Sequence, residues 1–213
     1  MGTGRRGCHH SAKSVYRDTL EKLRGSFMHH KKLIFSILTL LAVGLFANGC
    51  TVYDVAVEER NVGEYASDEK IAFLIEKDFL ADDLVKYMDF DASSYEGLVY
   101  IVGEYESRAQ VDRAVQIAKA VDGVRSVTTY LLPKKADDTC GTTDNLELYA
   151  KVKNLLVQDK DIWSTNVEIK TVQCNVVLLG IVGSSAERDK IIRHAKSVSG
   201  ARSVKSFLRI KRG

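Results

Sequence analysis

The second half of the chain repeats the pattern of hydrophobic and polar positions found in the first. Ile71, Leu74, Ile75 and Phe79 recur at the spacing of one face of an amphipathic helix, and Leu148, Val152, Leu155 and Leu156 do the same further on. Two strand-like runs joined by a short turn follow in each place, roughly 87–93 and 97–105, then 164–171 and 174–182. The second run of each pair is apolar almost throughout (Leu98-Val99-Tyr100-Ile101-Val102; Val176-Val177-Leu178-Leu179). That predicts a strand with little exposed surface. A second helix comes next, with Val111, Ala114, Val115, Ala118 and Val121 on one face in the first copy. Ser107 with Gln110, and Ser184 with Glu187, have capping-box spacing, in which side chain and backbone satisfy each other's donors. Gly123 and Gly200 stand where a left-handed C-terminal cap is wanted. A last strand is predicted over 125–132 and 202–210. The order is α-β-β-α-β, twice, so the fold class is α+β.

A single offset of 77 residues relates the copies. Gly103 falls on Gly180, Ser107 on Ser184, Ala118 on Ala195, Lys119 on Lys196 and Gly123 on Gly200. Arg125-Ser126-Val127 falls on Arg202-Ser203-Val204. The offset holds from residue 68 to 132 without insertion, and it is longer than solenoid repeats, so it reads as domain duplication. Each copy, about 65 residues, can bury a small core. The only proline, Pro133, marks the boundary between them.

Charge divides along the same boundary. Residues 50–138 carry 10 Lys/Arg and 19 Asp/Glu, a net −9, whereas residues 139–213 carry 13 and 7, a net +6. An asymmetry this large points to different partners for the two halves.

Ahead of the repeats, His29-His30-Lys31-Lys32 precedes an uncharged run from Leu33 to Ala47. Its 15 residues fall short of the roughly 20 that span a bilayer and suit the apolar core of a signal peptide. With Ala47-Asn48-Gly49-Cys50 behind it, the segment resembles a lipoprotein signal sequence, in which the cysteine is lipidated and becomes the mature N-terminus. Ala47 and Asn48 depart from the usual box, which has Leu or a similar residue three before the cysteine. An uncleaved N-terminal anchor and cleavage without lipid stay open. Thr51, where Asp would retain such a protein at the inner membrane under the enterobacterial sorting rule, favours the periplasmic face of the outer membrane. Met28 makes a better start for a signal than Met1, so residues 1–27 read as a misassigned start or as a long basic extension. The expected organisation is signal 28–49, a lipidated tether 50–66, domain 1 at 67–132, linker 133–143 and domain 2 at 144–211.

Val99-Tyr100-Ile101-Val102-Gly103 and the passage Ile117 to Val127 resemble the BON domain, as do Val177-Leu178-Leu179-Gly180 and the passage His194 to Val204. The resemblance covers nearly all of 67–211. It implies for each copy a small three-stranded mixed sheet with two helices packed on it. With Cys50 and the lead-in Arg60-Asn61-Val62-Gly63, the chain is similar to dual-BON outer-membrane lipoproteins. That implies a periplasmic, non-catalytic module that binds phospholipid, supports envelope integrity and is linked to stress. Cys174 departs from the pattern, since the first copy has the expected turn glycine, Gly97, in its place.

The resemblance puts the lipid contact on the first helix of domain 2. Beside the core face of that helix, Leu146, Tyr149 and Lys153 fall at i, i+3 and i+7. Apolar and aromatic groups next to lysine, on a domain of net +6, suit an anionic bilayer, where each basic residue contributes about 1 kcal/mol. Lys151 and Trp163 are further candidate contacts, and Glu147 works against them. The matching positions of domain 1 are Glu69, Ala72 and Glu76, a face that anionic lipid would repel. The same stripe could instead pack on the other domain or the linker. Domain 1 could be a solvated acidic surface, or could dock a basic envelope protein or its own second domain.

Of the cysteines after the signal, Cys140 and Cys174 can pair if Cys50 is acylated, or remain two thiols. His194 replaces Ile117 and reads as structural. No metal set, cofactor fingerprint or nucleophile–base pair is apparent, so the chain is expected not to be an enzyme. A nucleic-acid partner is not expected of an exported chain.

Overall fold

A computed structural model describes residues 61–85 and 87–211. The extension 1–27, the signal 28–49, Cys50 and the tether up to residue 60 lie outside the described residues. Both repeats fall within one compact unit.

The first copy comprises α1 (Val62–Ala81), a 3-10 turn (Tyr87–Asp89), β1 (Phe90–Tyr95), β2 (Leu98–Tyr105), α2 (Arg108–Ala120) and β3 (Ser126–Pro133). The second comprises α3 (Thr142–Gln158), a 3-10 turn (Ser164–Asn166), β4 (Val167–Val172), β5 (Asn175–Val182), α4 (Ser185–Ser197), β6 (Ser203–Ser206) and β7 (Arg209–Ile210). In each copy a hairpin pairs two antiparallel strands, Phe90 opposite Gly103 and Val167 opposite Gly180. The last strand returns parallel to the central one, Leu98 beside Ser126 and Asn175 beside Ser203. Each sheet is therefore mixed and three strands wide. In the second copy the closing strand is interrupted at Phe207-Leu208 before β7 resumes pairing with β5.

Four details differ from the sequence reading. First, α1 begins at Val62, capped by Asn61, whose Oδ1 accepts the N–H of Glu64 at 2.9 Å, so residues 62–66 are helix rather than tether. Second, the strands start later than expected, because the residues before β1 and β4 form 3-10 turns. The carbonyls of Asp89 and Asn166 in these turns lie where a Cβ on Gly103 or Gly180 would stand, 1.9 and 2.1 Å away, so only glycine fits there. Third, α2 buries Gln110, Ala114, Ile117 and Ala118, a face rotated away from Val111 and Val115. Fourth, α2 and α4 end at extended Val121 and Val198, and the glycine with positive φ is the third residue of a separate turn (Val124 N–H to Val121 O, 3.2 Å).

The nearly all-apolar strands have two buried faces. Val99 and Ile101 point into the domain 1 core with Ile75, Phe79 and Ala118, while Val176, Leu178 and Val182 join Leu148, Val152, Leu156 and Ile191 in domain 2. The opposite faces, Tyr100 and Val102 from β2 with Val177, Leu179 and Ile181 from β5, form a third core between the sheets. The two domains thus pack sheet on sheet, with their helices outside. Tyr100 stacks on Phe207 at 5.2 Å between ring centres. Charge crosses the same junction: Lys170 Nζ lies 2.7 Å from Asp91, Arg209 Nη1 lies 2.6 Å from Glu96, and the Tyr95 hydroxyl donates to Glu168 at 2.9 Å. Part of the acidic excess of domain 1 therefore meets basic residues of domain 2.

Candidate functional site

Helix α3 carries the residues expected to meet lipid, and it is held at both ends. Leu148, Val152 and Leu156 are its buried face, worth about 1.5–3 kcal/mol each when fully buried. At its N-terminus the Gly141 N–H donates to Asp144 Oδ2 at 2.8 Å. One residue earlier, Cys140 forms a disulfide with Cys174 in the β4–β5 turn. The linker is further pinned where Arg202 donates to Asp138 and Thr139. At the C-terminal end Asp159 takes His194 Nε2 at 2.8 Å and Lys190 Nζ at 3.3 Å, tying α3 to α4. These partners, with the Asp161 N–H, hold the Asp159 carboxyl at about 2, well below its usual range.

The remaining edge of α3 is open. Leu146 is 66% exposed and Tyr149 38%. Trp163, 55% exposed, stands in the turn after the helix. Lys153 Nζ donates to the Ser164 carbonyl at 2.9 Å, which brings that turn against the helix. Lys151 pairs with Glu147 one turn earlier at 2.6 Å. Both members are well exposed, so the pair is weak and can be exchanged for another anion. The structure thus brings Lys153 and the Trp163 turn together beside the open edge with Leu146 and Tyr149. Val157, also exposed on α3, was not singled out from the sequence. Nor was Glu187 as more than a cap. Ser184 Oγ does accept the Glu187 N–H at 3.1 Å, but the Glu187 carboxylate turns to the N–H groups of Trp163 and Gly183. The reciprocal half of the capping box therefore reaches one residue further upstream than expected. In the first copy Gln110 likewise takes the N–H of Glu106.

The first copy offers Glu69, Ala72 and Glu76 at the positions matching the α3 stripe, but it is not without exposed apolar groups. Phe73 and Leu80 point outward from α1, and Leu84 and Met88 follow. Each copy exposes an apolar strip on a different flank of the same helix. Phe73 corresponds to Ala150, which lies outside the α3 stripe. Burial and nearby Asp91 raise the Glu76 carboxyl above its ordinary value. Among the described residues no cluster of three or more His, Cys, Asp or Glu could hold a metal ion, and no helix is long and apolar enough to cross a membrane.

Comparison with known proteins agrees with this duplicated architecture. Residues 67–132 and 144–212 each match the BON domain. The chain is 31% identical over 152 residues to osmotically-inducible protein Y of Escherichia coli (strain K12), covering 70% of this chain and 76% of that protein. It is 26% identical over 175 residues to the outer membrane lipoprotein DolP of Haemophilus influenzae, covering 78% and 90%. Among solved structures, CdsD, a structural protein of the type III secretion system of Chlamydia trachomatis, aligns over 67% of this chain and 62% of that one, with 15% identity and a TM-score of only 0.28. Two matched segments in tandem, each folded as α-β-β-α-β, make this chain a member of the BON-domain family.

Proposed function

We propose that this chain is a lipid-anchored envelope protein that binds anionic phospholipid surfaces through α3 and the Trp163 turn, supporting outer-membrane integrity under osmotic or envelope stress. The observation that carries the reading is the open edge of α3. Leu146 and Tyr149 stay exposed on a helix fixed at both ends, and Trp163 in the turn after it, with Lys151 and Lys153 alongside. Exposed apolar strips mark interaction surfaces, and aromatic rings beside lysines suit the headgroup boundary of a bilayer. Similarity to an outer membrane lipoprotein and to an osmotically inducible protein supports the envelope setting. Cys50 would carry the anchor, keeping domain 2 at high local concentration near the membrane. In this reading the protein is a binding module, not an enzyme.

The test reads the single tryptophan in the full chain. Vesicles containing phosphatidylglycerol should shift Trp163 emission to the blue, with an effect that weakens as salt rises. Phosphatidylcholine vesicles should do less. Leu146→Glu with Tyr149→Glu should abolish the shift. An unmoved spectrum in the parent with anionic vesicles would count against lipid recognition by this edge.

A second reading has its own observation. Phe73, Leu80, Leu84 and Met88 are exposed on the acidic copy, away from any use at an anionic bilayer. This favours an adaptor role in which domain 1 holds an envelope protein while domain 2 and the anchor face the membrane. Cross-linking from position 80 in cells would capture a specific partner only under this reading.

A further inference from the structure

Trp163 is the only tryptophan in the chain, and its main chain is gripped although its ring is exposed. Its N–H donates to Glu187 Oε1 at 2.9 Å, and the other oxygen of that carboxylate accepts the Gly183 N–H at 3.0 Å. The first copy has Gln110 at the position of Glu187. Gln110 Oε1 takes the N–H of Glu106, the counterpart of Gly183, while its Nε2 donates to Asp89 at 3.3 Å. The counterpart of Asp89 is Asn166, and there the partnership is missing. Asn166 is 4% exposed, and neither its Oδ1 nor its Nδ2 has a hydrogen-bond partner. A buried polar group left unpaired is costly, and in a folded protein it calls for a reason.

We propose that Glu187 is a positioning residue for Trp163, holding the Trp163-Ser164 turn on α3 by giving up the hydrogen bond that a glutamine would make to Asn166. A carboxylate has two acceptors and no donor. It can serve both N–H groups, but it can offer Asn166 Oδ1 nothing. Lys153 grips the same turn from the helix side through the Ser164 carbonyl. The turn is thus fixed on both sides while Trp163 stays more than half exposed. The purpose of that arrangement rests on the reading of this edge as lipid-facing. The clamp itself can be measured without lipid.

The experiment is Glu187→Gln in the full chain, read by thermal unfolding and by Trp163 fluorescence anisotropy and acrylamide quenching. The amide introduced by this change can keep Gly183 and donate to Asn166, leaving the Trp163 N–H without its acceptor. The expected result is an unchanged or higher Tm, together with lower anisotropy, stronger quenching and about tenfold weaker binding to phosphatidylglycerol vesicles. Asn166→Leu should be neutral or stabilising in the parent, and in that background Glu187→Gln should no longer raise the Tm. Unchanged anisotropy would overturn the proposal. So would a Tm that falls with Glu187→Gln, since that is the mark of a merely structural cap. If the parent ignores vesicles while the anisotropy change occurs, the lipid reading fails and the clamp stands.

Discussion

Asn145 occupies in the second copy the place that Asp68 holds in the first, and the two make different contacts with the hairpin above them. Asp68 is buried and accepts three hydrogen bonds from the β1–β2 hairpin: from the Ser94 hydroxyl at 2.7 Å, the Glu96 N–H at 2.7 Å and the Gly97 N–H at 2.9 Å. Asn145 Oδ1 accepts the Cys174 N–H at 3.0 Å, and the counterpart of Ser94, Thr171, donates to the Asn145 carbonyl instead. Beside this thinner set of contacts stands the Cys140–Cys174 disulfide. A covalent link thus does in domain 2 much of what a carboxylate does in domain 1.

Removing the disulfide should therefore be costly and partly repairable. Cys140→Ser with Cys174→Ser should lower stability by about 2–4 kcal/mol in urea unfolding, in the range usual for native disulfides. Cys174 holds φ +56° where the first copy has glycine at +74°. Cys140→Ser with Cys174→Gly should accordingly recover about 1 kcal/mol of the loss. Adding Asn145→Asp, which restores the first copy's clamp, should recover more. No difference among these variants would show that the turn bears no strain.

Asp68→Ala should be among the more damaging single changes in domain 1. It leaves two hairpin N–H groups without their acceptor, and the cost should be about 3 kcal/mol. Asp68→Asn should fall between the two. Denaturant midpoints at constant slope would check both.

The pH response of the α3–α4 tie follows from Asp159. Its folded pKa of about 2 lies below the ordinary value of 3.8, so its contribution is present above pH 3.8 and is lost as pH falls through 2. Asp159→Asn should lower the Tm at pH 6, and the difference should shrink as the pH is taken down through 2. Melting curves at the two pH values decide this.

Glu76 behaves in the opposite sense. Its pKa is raised by burial and then by Asp91, so its ionised form works against the fold. Stability is greatest below the ordinary value and declines as pH rises through the folded one. Glu76→Gln should raise the Tm at pH 7, with the advantage gone by pH 4.

The sheet-on-sheet core predicts that the two domains unfold together. Calorimetry should give a single transition. Leu179→Ala, in the middle of that core, should cost about 2–5 kcal/mol, and Leu179→Asp should split the transition in two. Two transitions in the parent would count against the shared core.

Much of this molecule was legible in order. The 77-residue offset exposes the duplication, because equivalent positions of two copies face the same local demands on turn, cap and core. The mixed three-stranded sheets followed from the family resemblance, and the buried faces of α1 and α3 from periodicity. The buried face of α2 holds Gln110 and Ile117 rather than Val111 and Val115, and Gln110 is bonded to Asp89 of the turn before β1, a contact that periodicity does not contain. The open edge of α3 was placed by the helical spacing of Leu146 and Tyr149. Its exposure was not, since the same spacing would serve packing against the other domain.

What the linear chain determined by itself is local: helix and strand order, the Ser107 and Ser184 caps, the paired glycines of the repeat, and the charge divide at the boundary. These depend on residues close in sequence or on a repeat that can be aligned. What only the tertiary structure decided lies between distant segments. The fully apolar strands turned out to have a second partner, the sheet of the other copy. The carboxylate of Glu187 turned out to hold a tryptophan 24 residues away, and Asn166 turned out to be buried and unpaired. An unpaired buried amide and a two-faced core are properties of which groups meet in space, and composition and periodicity do not specify those meetings.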